Sequence, residues 1–202
     1  MDNCIVEFLA NYPLLKCYWP NSKETNRQLE AFVLQEEQRS KGVTYSNAGG
    51  WHSEHVIQDW AIEGAVVLVA RVKWAAQELM TQLGYNQDIN VLKMWANINR
   101  KGHKNYPHVH QAFMSGVYYV NGNHNSGFTK FVKGRQQMPP GHPSGVPVHL
   151  VKPYRGDLIE ECTIQPQEGL MAVFPGTLLH YVEPYEDEGH RITIAFNINP
   201  RT

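Results

Sequence analysis

Residues 105–120 read NYPHVHQAFMSGVYYV, and residues 174–198 read FPGTLLHYVEPYEDEGHRITIAFNI. The end of the second stretch alternates with period two. Ile192, Ile194, Phe196 and Ile198 take one side; Arg191, Thr193, Ala195 and Asn197 take the other. Residues 91–99 (VLKMWANIN) repeat the pattern, with Leu92, Met94, Ala96 and Ile98 opposed to Trp95, Asn97 and Asn99. Successive side chains of a strand point to opposite faces, so each segment shows hydrocarbon one way and hydrogen-bonding groups the other. Two arrangements fit. The polar face meets solvent, as on a half-solvated sheet, or it lines a cavity inside a barrel.

Outward from these segments the texture stays β-rich. Strands are expected near 91–99, 106–111, 114–121, 128–133, 158–165, 170–174, 178–183 and 190–198, separated by Gly, Pro and Asn clusters. Residues 1–90 read as mainly helical. Thr25 with Gln28 suggests a capping box before Leu29, Phe32 and Val33. Ser53 is a candidate cap for a second helical region, with Trp51 just outside it. Leu68, Val72, Ala75, Leu79 and Leu83 follow at helical spacing, and Gly84 stands where a terminating glycine belongs. The expectation is one α+β domain over residues 1–202, with helical support in 1–90 and a sandwich or barrel in 91–200. Residues 122–148 read as a long loop.

The 202 residues suffice for one sizeable core. Eighteen Lys and Arg against nineteen Asp and Glu give a formal charge of -1, which argues against a nucleic-acid partner or a polybasic membrane anchor. No apolar run reaches membrane-spanning length, and no basic leader precedes one. Cys4, Cys17 and Cys162 show no C-x-x-C and no readable disulfide framework. The expected location is the cytoplasm.

Ten histidines are many for this length. On a strand, His108 and His110 would project to one side, where two imidazoles can grip one ion. His180 could close the site from a distant strand. Arg191 on the polar face of the last strand would need an anion, and its planar fork suits a carboxylate. The set reads as a metal beside a bound carboxylate. Among the other candidates, His103, His124, His142 and His149 read as loop residues, and His52 with His55 as a weaker metal pair. His190 and Tyr118 read as structural. Trp51 and Trp95 read as pocket border or core, Arg135 as a loop cation, and Glu186, Asp187 and Glu188 as a solvated acidic turn.

With these motifs on the page, the sequence resembles the iron(II)- and 2-oxoglutarate-dependent oxygenases, and within them a microbial group. The resemblance rests on GGWHS (49–53), MWANINRKGHKNYPHVH (94–110), SGVYYV (115–120), GLMAVFPGTLLHYVEP (169–184) and HRITIAFNI (190–198). It implies a double-stranded β-helix, or jelly roll, with N-terminal helices packed against it. It implies that His108 and His180 bind Fe(II), that Arg191 pairs with the far carboxylate of 2-oxoglutarate, and that Tyr119 bonds the same group. Thr193 could assist, and Asn97, Asn99, Ser115 and Asn197 are further pocket candidates. The wider family has Asp or Glu where this chain has His110. Three readings follow: iron on three histidines, a site where water replaces His110, or a site that has lost iron chemistry or holds zinc or nickel.

The implied reaction couples decarboxylation of 2-oxoglutarate by dioxygen to hydroxylation of a substrate that the sequence does not name. Two other functions fit the same residues: a cupin-like three-His dioxygenase without 2-oxoglutarate, and a non-catalytic β-barrel binding protein. Ordinary imidazoles, with pKa values of about 6.5, would release metal below about pH 6. The sequence leaves the oligomeric state open, a homodimer being the commonest choice.

Overall fold

The computed structural model describes residues 3–9, 12–54, 57–85, 87–133 and 160–201. In chain order the elements are β1 (Asn3–Leu9), β2 (Tyr12–Tyr18), α1 (Lys23–Arg39), β3 (Asn47–Ala48), β4 (Trp51–His52), a 3-10 turn (Ile57–Asp59), α2 (Glu63–Gln82), β5 (Ile89–Asn99), β6 (Lys104–His108) and β7 (Met114–Tyr119). They continue with β8 (Thr129–Lys133), β9 (Glu160–Ile164), β10 (Leu170–Pro175), β11 (His180–Val182) and β12 (Arg191–Pro200). Arg135, His142 and His149, and most of the expected loop at 122–148, lie outside the described residues, as does His55.

The strands form two antiparallel sheets. The larger has the order β1-β2-β10-β7-β12-β5-β4 and the smaller β3-β6-β11-β8-β9. One face of the larger sheet packs on the helices. Met94, Ala96, Ile98, Tyr118, Val173, Ile192, Ile194 and Phe196 meet Leu29, Val33, Leu68, Val72 and Leu79 there, all at zero exposure. A second cluster, with Leu14, Tyr119, Phe131, Ile164, Ala172, Phe174 and Leu178, joins the other face to the smaller sheet. The period-two alternation therefore separates a helix-facing core from an inter-sheet interior, and the polar faces of β5 and β12 belong to the interior. Register aligns them: Arg191 lies opposite Asn99, Thr193 opposite Asn97, Ala195 opposite Trp95, and Asn197 opposite Lys93. The ladder then slips at Leu92, whose side chain is not among those described, so that Ile198 meets Val91.

Four expectations are corrected. The first 90 residues are not mainly helical: β1 and β2 form a hairpin that joins the larger sheet through β10. The hairpin lacked a helical or strand period that stood out locally, and its place is set by pairing with a strand some 150 residues later. Thr25 does not cap α1. The first helical bond runs from Asn26 N to Ser22 O, making Ser22 the cap, while the Gln28 side chain instead accepts from Gly64 N at 2.8 Å. Ser53 caps nothing either. Its Oγ accepts from Ala96 N at 2.9 Å, extending the sheet edge, and α2 begins ten residues later. Finally, Cys4 and Cys17 are disulfide-bonded. They are register partners across the β1–β2 hairpin with Cα atoms 4.1 Å apart, a relation no sequence spacing discloses.

The end of α2 follows its sequence. Gly84 has φ +80°, and Tyr85 N donates to Met80 O while Gly84 N donates to Thr81 O. This reciprocal pair is the Schellman closure that a glycine after the last turn permits.

Candidate metal and cosubstrate site

A cavity of about 250 Å³ lies between the two sheets. The smaller sheet brings two histidines to it. His108 ends β6, His180 begins β11, and the two are register partners. His110 lies two residues beyond β6, so the same-side projection expected within one strand is not what aims it. Instead the chain bends, and His110 N donates to Gly176 O at 2.8 Å. Gly176 must be glycine: a Cβ there would sit 2.2 Å from Ala112 O. FPGT thus holds the segment carrying His110, a role its sequence did not disclose.

One side-chain nitrogen from each of His108, His110 and His180 lies within 4.8 Å of the others. The Nε2 atoms of His110 and His180 are 3.3 Å apart. Two adjacent nitrogens bound at about 2.1 Å to one ion would stand roughly 3 Å apart, so the geometry fits a shared metal. Backbone carbonyls set the tautomers. His108 Nδ1–H donates to Tyr106 O at 2.7 Å and His180 Nδ1–H to Leu178 O at 2.8 Å, which leaves both Nε2 lone pairs for a ligand. Burial lowers the His108 pKa to about 4 and that of His180 well below its usual value, with the other two imidazoles adding repulsion at His180. Both are neutral, ligand-ready rings at pH 7, and protons compete with metal at lower pH than ordinary imidazoles would allow.

The larger sheet supplies the opposite wall. Arg191 is 1% exposed, and its Nη1 donates to Ser126 O and to Gly127 O, the latter at 2.9 Å. Gly127 has φ +71°, and a Cβ would meet Glu183 O at 2.4 Å, so the carbonyl cradle depends on glycine. Arg191 Nε is buried with no partner. Among the described residues no carboxylate pairs with this guanidinium, although burial brings its pKa down only to about 10, so it stays charged. A buried cation with an unanswered N–H calls for an anion. The far carboxylate of a dicarboxylic cosubstrate meets that demand, and the neutral nitrogen set opposite suits iron(II); the residues present fit both groups.

Tyr119, at 1% exposure, shares a 2.7 Å hydrogen bond with Thr129 Oγ1 and lines the cavity with Thr193, Asn97 and Asn197. Ser115 does not line it. Its Oγ lies 3.0 Å from both Phe196 O and Asn197 Oδ1, so it steadies Asn197 from behind. Asn99 is buried beside Arg191 on the neighbouring strand and is likewise outside the lining. His52 enters the wall stacked on Trp95 (centroids 5.7 Å, planes 10° apart), and Trp95 in turn lies 5.6 Å from the His110 ring. His190 pairs with Glu30 at 2.8 Å and Tyr118 donates to Asn26 at 2.7 Å; both are structural, as expected. His103 accepts from Arg100 N and His124 is exposed. The acidic turn is tied to Lys101 through Glu188. Lys93, Tyr45 and Thr129 also line the cavity. Of these, Lys93 was legible, being two residues before Trp95 on the same strand face.

A two-sheet sandwich with a histidine triad on one wall and a buried guanidinium on the other defines a metal-dependent oxygenase of the double-stranded β-helix class. The family described as "Putative 2OG-Fe(II) oxygenase" matches residues 93–197, just over half of the chain, and this protein belongs to it. Its cofactors are accordingly Fe(II) and 2-oxoglutarate. Among curated protein sequences none matches significantly. Solved structures show the same fold. A Pseudomonas putida prolyl-4-hydroxylase aligns with TM-score 0.66 at 15% identity over 96% of each chain. The epimerase SnoN from nogalamycin biosynthesis, in complex with Fe3+, alpha ketoglutarate and nogalamycin RO, aligns with TM-score 0.68 at 10% identity over 92% of this chain and 78% of its own. HygX from Streptomyces hygroscopicus, with nickel and 2-oxoglutarate bound, gives 0.59 at 11% identity over 93% and 82%.

Proposed function

We propose that the protein hydroxylates an organic substrate, with His108, His110 and His180 as the iron ligands and Arg191 as the anchor of 2-oxoglutarate. The observation that carries this reading is the convergence of the three imidazoles on the cavity that also receives the buried, carboxylate-free Arg191. When bound, iron supplies dioxygen activation coupled to decarboxylation of 2-oxoglutarate to succinate and carbon dioxide. Everything else falls to the chain. Tyr106 O and Leu178 O keep two imidazoles in the ligating tautomer. Arg191, assisted by Tyr119 and Thr193, fixes the cosubstrate tail, so that its keto-acid end faces the histidines in one orientation. Phe131 and Phe174, whose rings lie 5.9 and 4.9 Å from that of His180, keep water from the site.

His110 standing where the wider family has an acid makes this a neutral triad. The test combines metal content with 2-oxoglutarate turnover. Protein purified and loaded anaerobically is expected to hold one iron and form succinate with oxygen. His108→Ala and His180→Ala are expected to lose both while keeping the far-ultraviolet spectrum. Unchanged metal content in both variants would overturn the reading, and metal without succinate would favour a three-His dioxygenase that does not use 2-oxoglutarate. We assign the activity to the cytoplasm. There the Cys4–Cys17 pair would meet thiol reductants, and alkylation of the two thiols in freshly lysed cells is the expected result. No helix among the described residues is long and apolar enough to cross a membrane. The assembly we expect is a homodimer, to be read by light scattering.

A further inference from the structure

The cavity wall is charged in one sense only. Lys93 and Arg191 line it, together with four histidines, and among the described residues no Asp or Glu does. No carboxylate among those residues pairs with either cation. The two mark opposite ends. Lys93 is register partner to Asn197, six positions along β12 from Arg191, a separation of roughly 20 Å at strand rise. Arg191 is the buried end and Lys93 the exposed one. Between them on the same strand face stands Trp95, against the His110 ring.

On the reading that the three histidines hold iron(II), the ion and Arg191 bring three positive charges into the buried part of the cavity, 2-oxoglutarate cancels two, and exposed Lys93 adds a further charge at its mouth. An acid at position 110 would have cancelled a third, but this chain has His110. A surplus of like charge in a partly desolvated cavity is costly until an anion enters it. We propose that the primary substrate is an organic anion, a carboxylate or a phosphate monoester. Its acidic group meets Lys93 at the outer end of the cavity, and its body lies along Trp95, beside the histidines. The substrate thereby supplies the negative charge that the ligand set lacks. Lys93 is a specificity-determining residue.

The experiment is calorimetric binding to the full chain loaded with zinc(II), which prevents turnover, at saturating 2-oxoglutarate. The probes are benzoate, phenylacetate and phenyl phosphate, each against its neutral counterpart benzamide, phenylacetamide or phenol. At least one acid is expected to bind about tenfold more tightly than its neutral partner. Lys93→Glu is expected to abolish that preference and Lys93→Met to reduce it, with 2-oxoglutarate affinity unchanged in both. His110→Asp is expected to weaken acid binding more than binding of the neutral partner, so that the preference narrows. Preference for carboxylates or for the phosphate ester identifies the source of the anion, and either supports the proposal. Equal or better binding of the neutral probes, no binding by any acid, or a preference that survives Lys93→Glu overturns it. Failure of zinc-loaded protein to bind 2-oxoglutarate at the outset overturns the underlying oxygenase site as well, so the two failures are distinguishable.

Discussion

Replacing Arg191 by Met separates what this side chain does for the fold from what it does for the cosubstrate. In the free protein two effects oppose each other. The substitution leaves Ser126 O and Gly127 O without their donor, at a cost of about 1–3 kcal/mol. It also removes a buried charge whose Nε has no partner, which relieves a penalty of similar size. Net stability without ligand is therefore expected to change by about 1 kcal/mol or less. With 2-oxoglutarate the balance differs, because the variant leaves the far carboxylate buried and unpaired. That costs about 3 kcal/mol, roughly two decades in Kd. At a concentration of about 100 times the wild-type Kd, wild-type protein gains about 2.7 kcal/mol of stability, whereas the variant gains only about 0.4 kcal/mol. Chemical denaturation of zinc-loaded protein with and without 2-oxoglutarate reads both numbers. An Arg191→Met protein that gains as much from 2-oxoglutarate as the wild type would refute the anchoring role.

Three further outcomes are expected. In the metal-free protein His108 is held down at about 4, against about 6.5 in the unfolded chain, so the unfolded state binds more protons between those values. Stability is then full above about pH 6.5 and declines as pH falls toward 4, His108 accounting for up to about 3 kcal/mol; urea unfolding at pH 7 and 4.5 should show a slope that His108→Phe reduces, the remainder belonging to His180, which burial also holds low. Gly176→Ala forces a Cβ onto Ala112 O and displaces the carbonyl that holds His110, so metal affinity measured by competition with a chelator should fall by about tenfold or more while β10 and β7 stay paired; unchanged affinity would show that the segment can shift freely. Reducing Cys4–Cys17 opens a loop with a sequence separation of 13 and should lower unfolding free energy by about 3 kcal/mol, read as a shifted urea midpoint, with wild-type metal binding retained.

Alternation along residues 91–99 and 190–198 was enough to place Met94, Ala96, Ile98, Ile192, Ile194 and Phe196 in one core and Trp95, Asn97, Arg191 and Thr193 on the other face. Strand periodicity is a local property, written into consecutive residues. The helical stripe Leu68–Val72–Ala75–Leu79 and the Gly84 stop were local in the same sense. The three candidate histidines could be picked out in the same way, because few residue types bind iron. The pairing of residues 3–9 with 12–18, the Cys4–Cys17 bond, the true cap of α1 and the use of Ser53 as an edge partner were not legible, since each depends on how the backbone is paired rather than on a local pattern of residue types. The same holds within the site. That the polar face lines a cavity rather than meeting water depends on the smaller sheet lying over it. That His110 joins His108 depends on Gly176 in the turn after β10, not on the H-x-H spacing. Composition along the chain determined which side chains were available. Register between strands, a relation among residues scores of positions apart, decided which of them meet.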